Sequence, residues 1–240
     1  MSRLAFTTAR ISHAGGREYN EDCCAYRGAC WVLADGLGGH GGGEVASRLA
    51  VQSVLGTLAD TPPLAGSIEQ AVQAANRALH AEQQKSPALE RMRTTLVILV
   101  SDGSAARWGH VGDSRLYYFR GGRLAAQTED HSVPQAMVKA GEIRAADIRH
   151  HEDRNRLLRT LGNDEEPRPT LVPAPVPLAP GDAFLLCTDG FWEYVTETQM
   201  EIELAKAADP DTWLRNMTRR LVKQAEPEHD NYTALAVFVH

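Results

Sequence analysis

Two spacings of hydrophobic residues alternate along the chain and predict a mixed α+β protein. Apolar residues recur every three or four positions in three segments, as on the buried face of an amphipathic helix. The predicted helices cover residues 44–58, 67–83 and 211–225, the last with Asp211 at its N-cap. Short aliphatic or aromatic runs predict strands at residues 30–34, 95–100, 105–110, 116–120, 184–187 and 234–239. Two helices in succession, followed by successive strands, differ from the strict alternation of a doubly wound sheet.

Two long segments lack this periodicity. Residues 163–181 are rich in proline, which cannot donate a hydrogen bond to a sheet ladder, so we expect an extended connection or an edge strand. Residues 130–161 are polar with charges of both signs, and we expect short helices on a solvated surface.

Composition fits one globular domain over residues 1–240, with 43% hydrophobic and 23% charged residues. No apolar run reaches the roughly 18 residues that span a bilayer, and the N-terminus lacks the apolar core of a signal peptide. The net charge of −6 argues against a nucleic-acid partner. We therefore expect a cytoplasmic protein with no membrane partner and no attached sensor domain.

The cysteines form no CxxC pair and no zinc signature. They are Cys23, Cys24, Cys30 and Cys187. We expect free thiols, as in a reducing cytoplasm. If the stretch around them is a strand, Cys23 and Cys24 point to opposite faces.

Aspartates recur where the predicted strands begin or end. Asp35 and Asp189 each end an apolar run and precede a glycine, Asp113 follows a strand, Asp230 precedes the last strand, and Asp22 lies near the start. A single Asp-Gly pair is ordinary turn chemistry. Several such carboxylates at one end of a sheet would repel one another unless hard divalent cations lay among them. All-oxygen ligation suits Mg²⁺ or Mn²⁺.

The glycine-rich segment at residues 36–41 also matches the GxGxxG pattern of dinucleotide-binding proteins, with Asp60 where an acid for the ribose would be expected. Two features argue against that interpretation. No second parallel strand is predicted before Asp60, and Asp35 would bring a negative charge beside the pyrophosphate.

Eight short motifs occur in one order along the chain. They are RxxNED at residues 17–22, ADGLGGH at 34–40, MRTT at 92–95, HVGDSR at 110–115, TEDHS at 128–132, LG at 161–162, CTDGF at 187–191 and DNYT at 230–233. Each is weak alone, but in this order they resemble the metal-dependent serine/threonine protein phosphatases of the PP2C (PPM) family in their compact bacterial form.

The resemblance implies a four-layer α-β-β-α sandwich, in which two antiparallel sheets are flanked by helices and the metals lie at one end. It also implies a small flap subdomain at about residues 130–160, which in this family is associated with substrate choice. His131, within the TEDHS motif, is expected to form hydrogen bonds within the fold.

The resemblance further implies a set of metal ligands for two Mn²⁺ or Mg²⁺ ions. Asp35 would bridge the two ions, and Gly36 would lend its carbonyl oxygen to one of them. Asp189 and Asp230 would complete the other. Asp113, with Asp189, would hold a third ion more weakly.

The remaining family positions concern substrate and water. Arg17 would bind the substrate phosphate, and Glu21 and Asp22 would hold metal-bound waters. With Arg17, Asp35 and Asp189 as catalytic residues, the implied reaction is hydrolysis of phosphoserine and phosphothreonine on proteins by a water that bridges the two metal ions. The implied partners are phosphorylated proteins and a bacterial serine/threonine kinase pathway.

Four residues depart from the family pattern, and two of them, Thr188 and Phe191, are mild substitutions. Leu37 stands where animal members carry a histidine proposed as general acid, and Arg93 replaces the glycine of an MGTT motif. All expected ligand positions are retained. The alternative is a catalytically weak or inactive phosphoprotein-binding module of the same fold.

Overall fold

The computed structural model describes residues 3–38, 42–58 and 67–240. Its strands are β1 (Phe6–His13), β2 (Asp22–Arg27), β3 (Cys30–Leu37), β4 (Arg93–Thr94), β5 (Leu96–Ser101), β6 (Ala105–Val111), β7 (Arg115–Arg120), β8 (Arg123–Gln127), β9 (Thr170–Leu171), β10 (Val176–Pro177), β11 (Ala183–Cys187) and β12 (Tyr232–Val239). Its helices are α1 (Gly42–Leu58), α2 (Ser67–Gln83), α3 (Val133–Ala140), α4 (Asp189–Trp192), α5 (Glu197–Leu204) and α6 (Pro210–Gln224), with 3₁₀ turns at Pro87–Leu89 and Ala145–His150.

Two antiparallel sheets form the centre of the fold. One has the strand order β1-β12-β11-β7-β8, and the other has the order β10-β6-β5-β3-β2, with β4 beside β3 and β9 beside β6. Every strand pairing recorded among the described residues is antiparallel. The dinucleotide-binding interpretation is therefore wrong, because it needs a parallel βαβ unit. Its residues 39–41 and Asp60 lie outside the described part of the chain.

Buried apolar residues form three clusters, one at each interface of a four-layer sandwich. Strand β3 shows how the sequence achieves this, because successive side chains point to opposite faces. Val32 and Ala34 pack toward α1 and α2, whereas Trp31 and Leu33 pack between the two sheets. The third cluster lies between the other sheet and α4 to α6, around Trp213. The predicted mixed fold with two antiparallel sheets is confirmed.

The predicted helices agree with the structure to within two residues at each end. Helix α6 begins at Pro210, one residue before the prediction, and its N-cap is Asp209, not Asp211. Asp209 accepts a hydrogen bond from the backbone N–H of Thr212 at 2.7 Å. The first two strands were missed because β1 mixes polar and apolar residues at a sheet edge and β2 has only one fully buried side chain.

The proline-rich segment contributes the short strands β9 and β10, which pair with β6, so its prediction as edge structure is confirmed. The four cysteines are free. Cys23 and Cys24 contact different core clusters, as expected for neighbours on a strand. No helix in the described part of the chain is long and apolar enough to cross a membrane.

The polar segment at residues 130–161 forms α3 and a 3₁₀ turn, but it is not wholly solvated. Asp130 is buried and accepts two hydrogen bonds from the buried guanidinium of Arg115, from Nε at 2.8 Å and from Nη2 at 2.7 Å. The expectation of a solvated surface is therefore wrong at this residue, because the charge is neutralised inside the fold.

We predict that Asp130→Asn destabilises the protein by about 3 kcal/mol, because it leaves the buried Arg115 without its charged partner. The matched control is Asp211→Asn, which removes an ion pair with Arg215 on the solvent-exposed side of α6 and should cost less than about 0.5 kcal/mol. Urea unfolding with comparable m-values measures both. Equal stability of the two variants would contradict the prediction.

Candidate metal and phosphate site

A cavity of about 350 Å³ opens at one end of the sandwich. Its lining residues are Arg17, Glu18, Tyr19, Glu21, Asp35, Gly36, Leu37, Gly38, Asp113, Asn155, Leu157, Asp189, Asp230 and Asn231. Seven of the eight residues that the resemblance implied for metal and phosphate binding therefore share one cavity. The eighth, Asp22, lies behind it.

Sheet register brings the carboxylates to this end. In the antiparallel pair β2–β3, Asp22 lies directly opposite Asp35, and side chains opposite one another lie on the same face. Asp113 follows the end of β6, Asp189 follows β11, and Asp230 precedes β12. The aspartates thus lie at or near the ends of strands from both sheets.

The backbone of Asp35 is held on both sides. Its N–H donates to Oγ1 of Thr95 at 3.0 Å. Its carbonyl oxygen accepts from the N–H of Thr95 at 2.9 Å and from Oγ1 of Thr94 at 2.8 Å. Both threonines are buried, so these bonds fix the carboxylate's attachment point independently of any ligand.

Gly36 lies where three backbone segments meet. A Cβ atom there would come within 2.1 Å of the carbonyl oxygen of Gly43 and 2.5 Å of that of Glu21. These distances are far shorter than van der Waals contact, so only glycine allows the start of α1 to pack against this strand.

Strand β4, which pairs with Gly36 and Leu37, is braced from outside the cavity. Gln83, at the end of α2, donates from Nε2 to the carbonyl oxygens of Met92 at 3.0 Å and Gly162 at 2.8 Å. Arg93 donates from Nε to Oδ1 of Asn163 at 2.7 Å. The departure from the family pattern at Arg93 therefore connects β4 to the loop that contains Asn163, 70 positions later in the chain.

The loop of Asp113 is fixed by neighbours from three elements. Oγ of Ser114 forms a hydrogen bond with Oγ1 of Thr95 at 2.7 Å, which links this loop to Asp35. The carbonyl oxygen of Asp113 accepts from Nε1 of the buried Trp192 at 2.9 Å. The guanidinium of Arg115 lies 3.5 Å from the centre of the Trp192 ring.

The two remaining aspartates are held by their following residues. Asp189 accepts from the N–H of Gly190 at 2.6 Å, and Asp230 accepts from the N–H of Asn231 at 2.8 Å. Oδ2 of Asp230 also accepts from the Nη2 atom of Arg17 at 3.0 Å. This contact holds the guanidinium at the mouth of the cavity.

Asn231 lines the cavity and has a structural role that its sequence motif did not predict. Its Oδ1 accepts from the N–H of Glu21 at 2.8 Å, and its Nδ2 donates to the carbonyl oxygens of Ala14 and Tyr19, each at 2.9 Å. It thereby fastens the loop that carries Arg17. Its position beside Asp230 in the DNYT motif was the available signal.

A hydrogen bond across the two sheets secures Asp22. Oγ1 of Thr188, after β11, donates to Oδ2 of Asp22 on β2 at 3.0 Å. The same Oγ1 accepts from the N–H of Thr233 at 3.0 Å. The other oxygen of Asp22, Oδ1, is buried and has no hydrogen-bond partner.

Burial and mutual repulsion raise the pKa values of Asp22, Asp35 and Asp189. For Asp22, burial and the charge of Asp189 raise the pKa to about 7, against two hydrogen bonds that lower it. For Asp189, burial and the charges of Glu193 and Asp230 raise the pKa to about 7. Burial, followed by neighbouring carboxylates, also raises the pKa of Asp35 well above its usual value. A cation among these groups would offset the repulsion.

The donors fit hard divalent cations in kind. Carboxylate oxygens and the Gly36 carbonyl match the ligands that Mg²⁺ and Mn²⁺ prefer, and the buried, unpartnered Oδ1 of Asp22 is a free acceptor beside them. Within residues 3–38, 42–58 and 67–240, no three acidic, histidine or cysteine side chains already form a closed metal cage.

His131 has the fold-internal contacts that were expected. Its ring stacks on His110 with centroids 4.5 Å apart. Its Nδ1 accepts from the N–H of Gly112 at 3.1 Å, and Nε2 lies 2.8 Å from Oγ1 of Thr170. Burial and the neighbouring His110 lower the pKa of His131 to about 3, so it stays neutral at neutral pH.

The sequence motifs predicted a sandwich of two antiparallel sheets with a cluster of carboxylates at one end, and the structure has both features. The family model described as "Protein phosphatase 2C" matches residues 11–236. The chain belongs to the protein phosphatase 2C family, and the resemblance seen in the sequence is confirmed.

Two bacterial phosphatases illustrate the similarity in sequence. The chain is 38% identical over 194 residues to the serine/threonine protein phosphatase PstP of Mycobacterium tuberculosis, an alignment covering 79% of this chain and 37% of PstP. It is 34% identical over 177 residues to the serine/threonine phosphatase stp of Listeria monocytogenes, covering 71% of this chain and 69% of stp. The chain thus spans little more than a third of the curated PstP.

Solved structures of bacterial phosphatases have the same fold as this chain. The crystal structure of M. tuberculosis PstP/Ppp has a TM-score of 0.88 and 31% identity, covering 98% of each chain. The PstP catalytic domain in complex with two manganese ions has a TM-score of 0.85 and 30% identity, covering 98% of this chain and 99% of that one.

We predict that Gly36→Ala weakens Mn²⁺ binding by about tenfold or more, because the new Cβ would displace either β3 or the start of α1. The matched control is Gly56→Ala on an exposed turn of α1, where a Cβ meets nothing within 4 Å. Calorimetric Mn²⁺ titration should give wild-type affinity for that control. Wild-type affinity in Gly36→Ala would remove Gly36 from the site.

Proposed function

We propose that this protein is a metal-dependent protein phosphatase that hydrolyses phosphoserine and phosphothreonine on proteins. One observation carries the proposal: six carboxylates share the cavity with a single guanidinium, that of Arg17. So acidic a cavity would repel a phosphate dianion unless cations were bound. Family membership and the names of the relatives support the same conclusion.

The proposed metal ligands are Asp35, the carbonyl oxygen of Gly36, Asp189 and Asp230, with Asp113 and Asp189 at a third, weaker position. A relative, PstP, is described in complex with two manganese ions, which supports Mn²⁺ or Mg²⁺ here. Two such ions lower the pKa of a shared water and neutralise charge on the reacting phosphate.

The chain's own residues bind and orient the substrate. Arg17 offers a planar pair of donors that matches two phosphate oxygens, and its contact with Asp230 already holds it at the cavity mouth. Glu21 lines the cavity and Asp22 lies beside it, where both can accept hydrogen bonds from ordered waters. Leu37 lines the cavity but has no proton to donate, so the proton for the leaving oxygen would have to come from a metal-bound water or from another residue.

Residues 130–160 would act as the flap of a single catalytic domain over residues 1–240. Asn155 and Leu157 line the cavity, and Nε of Arg154 donates to Glu193 beside Asp189 at 2.6 Å. These contacts support a role in receiving the protein around the phosphorylated residue. We further propose a cytoplasmic role that reverses phosphorylation by a bacterial serine/threonine kinase, which is consistent with relatives described as serine/threonine phosphatases.

The test is hydrolysis of p-nitrophenyl phosphate and of phosphothreonine, phosphoserine and phosphotyrosine peptides, with Mn²⁺, with Mg²⁺ and with EDTA. We expect turnover that requires a metal and favours phosphothreonine and phosphoserine. Asp189→Asn, and likewise Asp35→Asn, should lower turnover by about 100-fold or more with the fold intact. Metal binding without turnover would favour the phosphoprotein-binding alternative.

We predict that Arg17→Ala raises KM by about tenfold or more and lowers kcat much less, because the lost bonds bind the phosphate in both ground and transition state. Arg17→Lys keeps the charge but not the planar pair of donors, so its KM should lie between those of the wild type and Arg17→Ala. Steady-state kinetics with p-nitrophenyl phosphate checks this. An unchanged KM in Arg17→Ala would remove the residue from phosphate binding.

A further inference from the structure

Tyr19 is the most exposed large hydrophobic side chain in the described part of the chain, with 66% of its surface accessible. It lines the candidate cavity, two residues from Arg17. Exposed aromatic rings at the edge of a binding cavity are a common feature of recognition surfaces, because they bury a large area at a small cost in side-chain entropy.

The exposure of Tyr19 is not the result of a loose loop. Its carbonyl oxygen accepts from Nδ2 of Asn231 at 2.9 Å, and the same amide group holds Ala14 and Glu21 on either side. The backbone under the ring is thus tied to the residue that follows the proposed metal ligand Asp230. The backbone that carries the ring is therefore held in place, while most of the side chain is exposed to solvent.

Other apolar side chains share the mouth with Tyr19. Leu37 and Leu157 line the cavity together with Tyr19. The charged residues of the lining are acidic apart from Arg17, and Glu18 adjoins Tyr19. Such a rim attracts nonpolar side chains by burial and repels acidic ones by charge.

We propose that Tyr19 is a specificity-determining residue that binds a nonpolar side chain flanking the phosphorylated residue of the substrate. The inference rests on the proposed function, since it takes the phosphate to bind at Arg17. The surface is continuous with the phosphate site, so a peptide whose phosphate meets Arg17 places its neighbouring residue against the ring. Substrates with nonpolar neighbours are therefore preferred over those with acidic or small polar ones.

The test uses three phosphothreonine peptides that differ only in the two residues flanking the phosphothreonine, which are leucine, serine or aspartate. The quantity measured is the ratio of kcat/KM between peptides, since a ratio cancels any general effect on catalysis. We expect the wild type to prefer leucine over serine by about threefold to tenfold and to be least active on aspartate. Tyr19→Ala should reduce the leucine preference to less than about twofold.

Two further variants serve as controls for the effect of Tyr19→Ala. Tyr19→Phe keeps the ring and should keep the preference. Tyr26→Ala removes another tyrosine, 47% exposed, at the opposite end of β2 from Asp22, and should leave both activity and preference at wild-type values. A preference that survives in Tyr19→Ala, or that is lost equally in Tyr26→Ala, would overturn the inference.

Failure of the underlying function gives a different result. Hydrolysis of p-nitrophenyl phosphate without any preference among the peptides would overturn only the role of Tyr19. If no substrate is hydrolysed, fluorescence anisotropy with the same labelled peptides decides instead. Tighter binding of the leucine peptide by the wild type than by Tyr19→Ala supports the role, and equal binding overturns it.

Discussion

Repulsion among carboxylates is the constraint around which this end of the molecule is organised. Asp22 and Asp35 face one another across β2 and β3, and Asp189 adds a third charge close enough to raise their pKa values. Folding brings these groups together against their mutual repulsion. Apolar packing in three core clusters offsets this repulsion. Hydrogen bonds also fix the backbone next to the acidic residues.

Those fixing contacts come from residues that have no charge of their own. Thr94 and Thr95 hold Asp35, Trp192 holds the Asp113 loop, and Asn231 holds the loop of Arg17. Most are buried. The chemistry therefore depends on a layer of neutral donors and acceptors, which position the carboxylates without neutralising them and leave their charge available for cations.

Much of the fold and of the candidate site could be predicted from the sequence, and the physical reason differs between the secondary structure and the acidic residues. The helices and central strands were predictable because one face of each is apolar. The strand-end aspartates were predictable because an acid directly after an apolar run is held at the end of a buried strand. Burial of Asp130 was not, since its partner Arg115 lies 15 positions away and the pair forms only on folding. The role of Asn231 could not be predicted either, because its amide binds the backbone of Ala14, Tyr19 and Glu21, which lie 217, 212 and 210 positions earlier in the chain.

The hydrogen bond from Thr188 to Asp22 has a consequence for how the protein assembles. It joins β2 of one sheet to the end of β11 in the other, so the cavity lies on the seam between the sheets and belongs to neither. A chain in which each sheet has formed but the two have not docked holds Asp35 and Asp189 apart. Docking of the sheets and completion of the site are thus one event, and no half-folded form of this domain presents the full set of carboxylates.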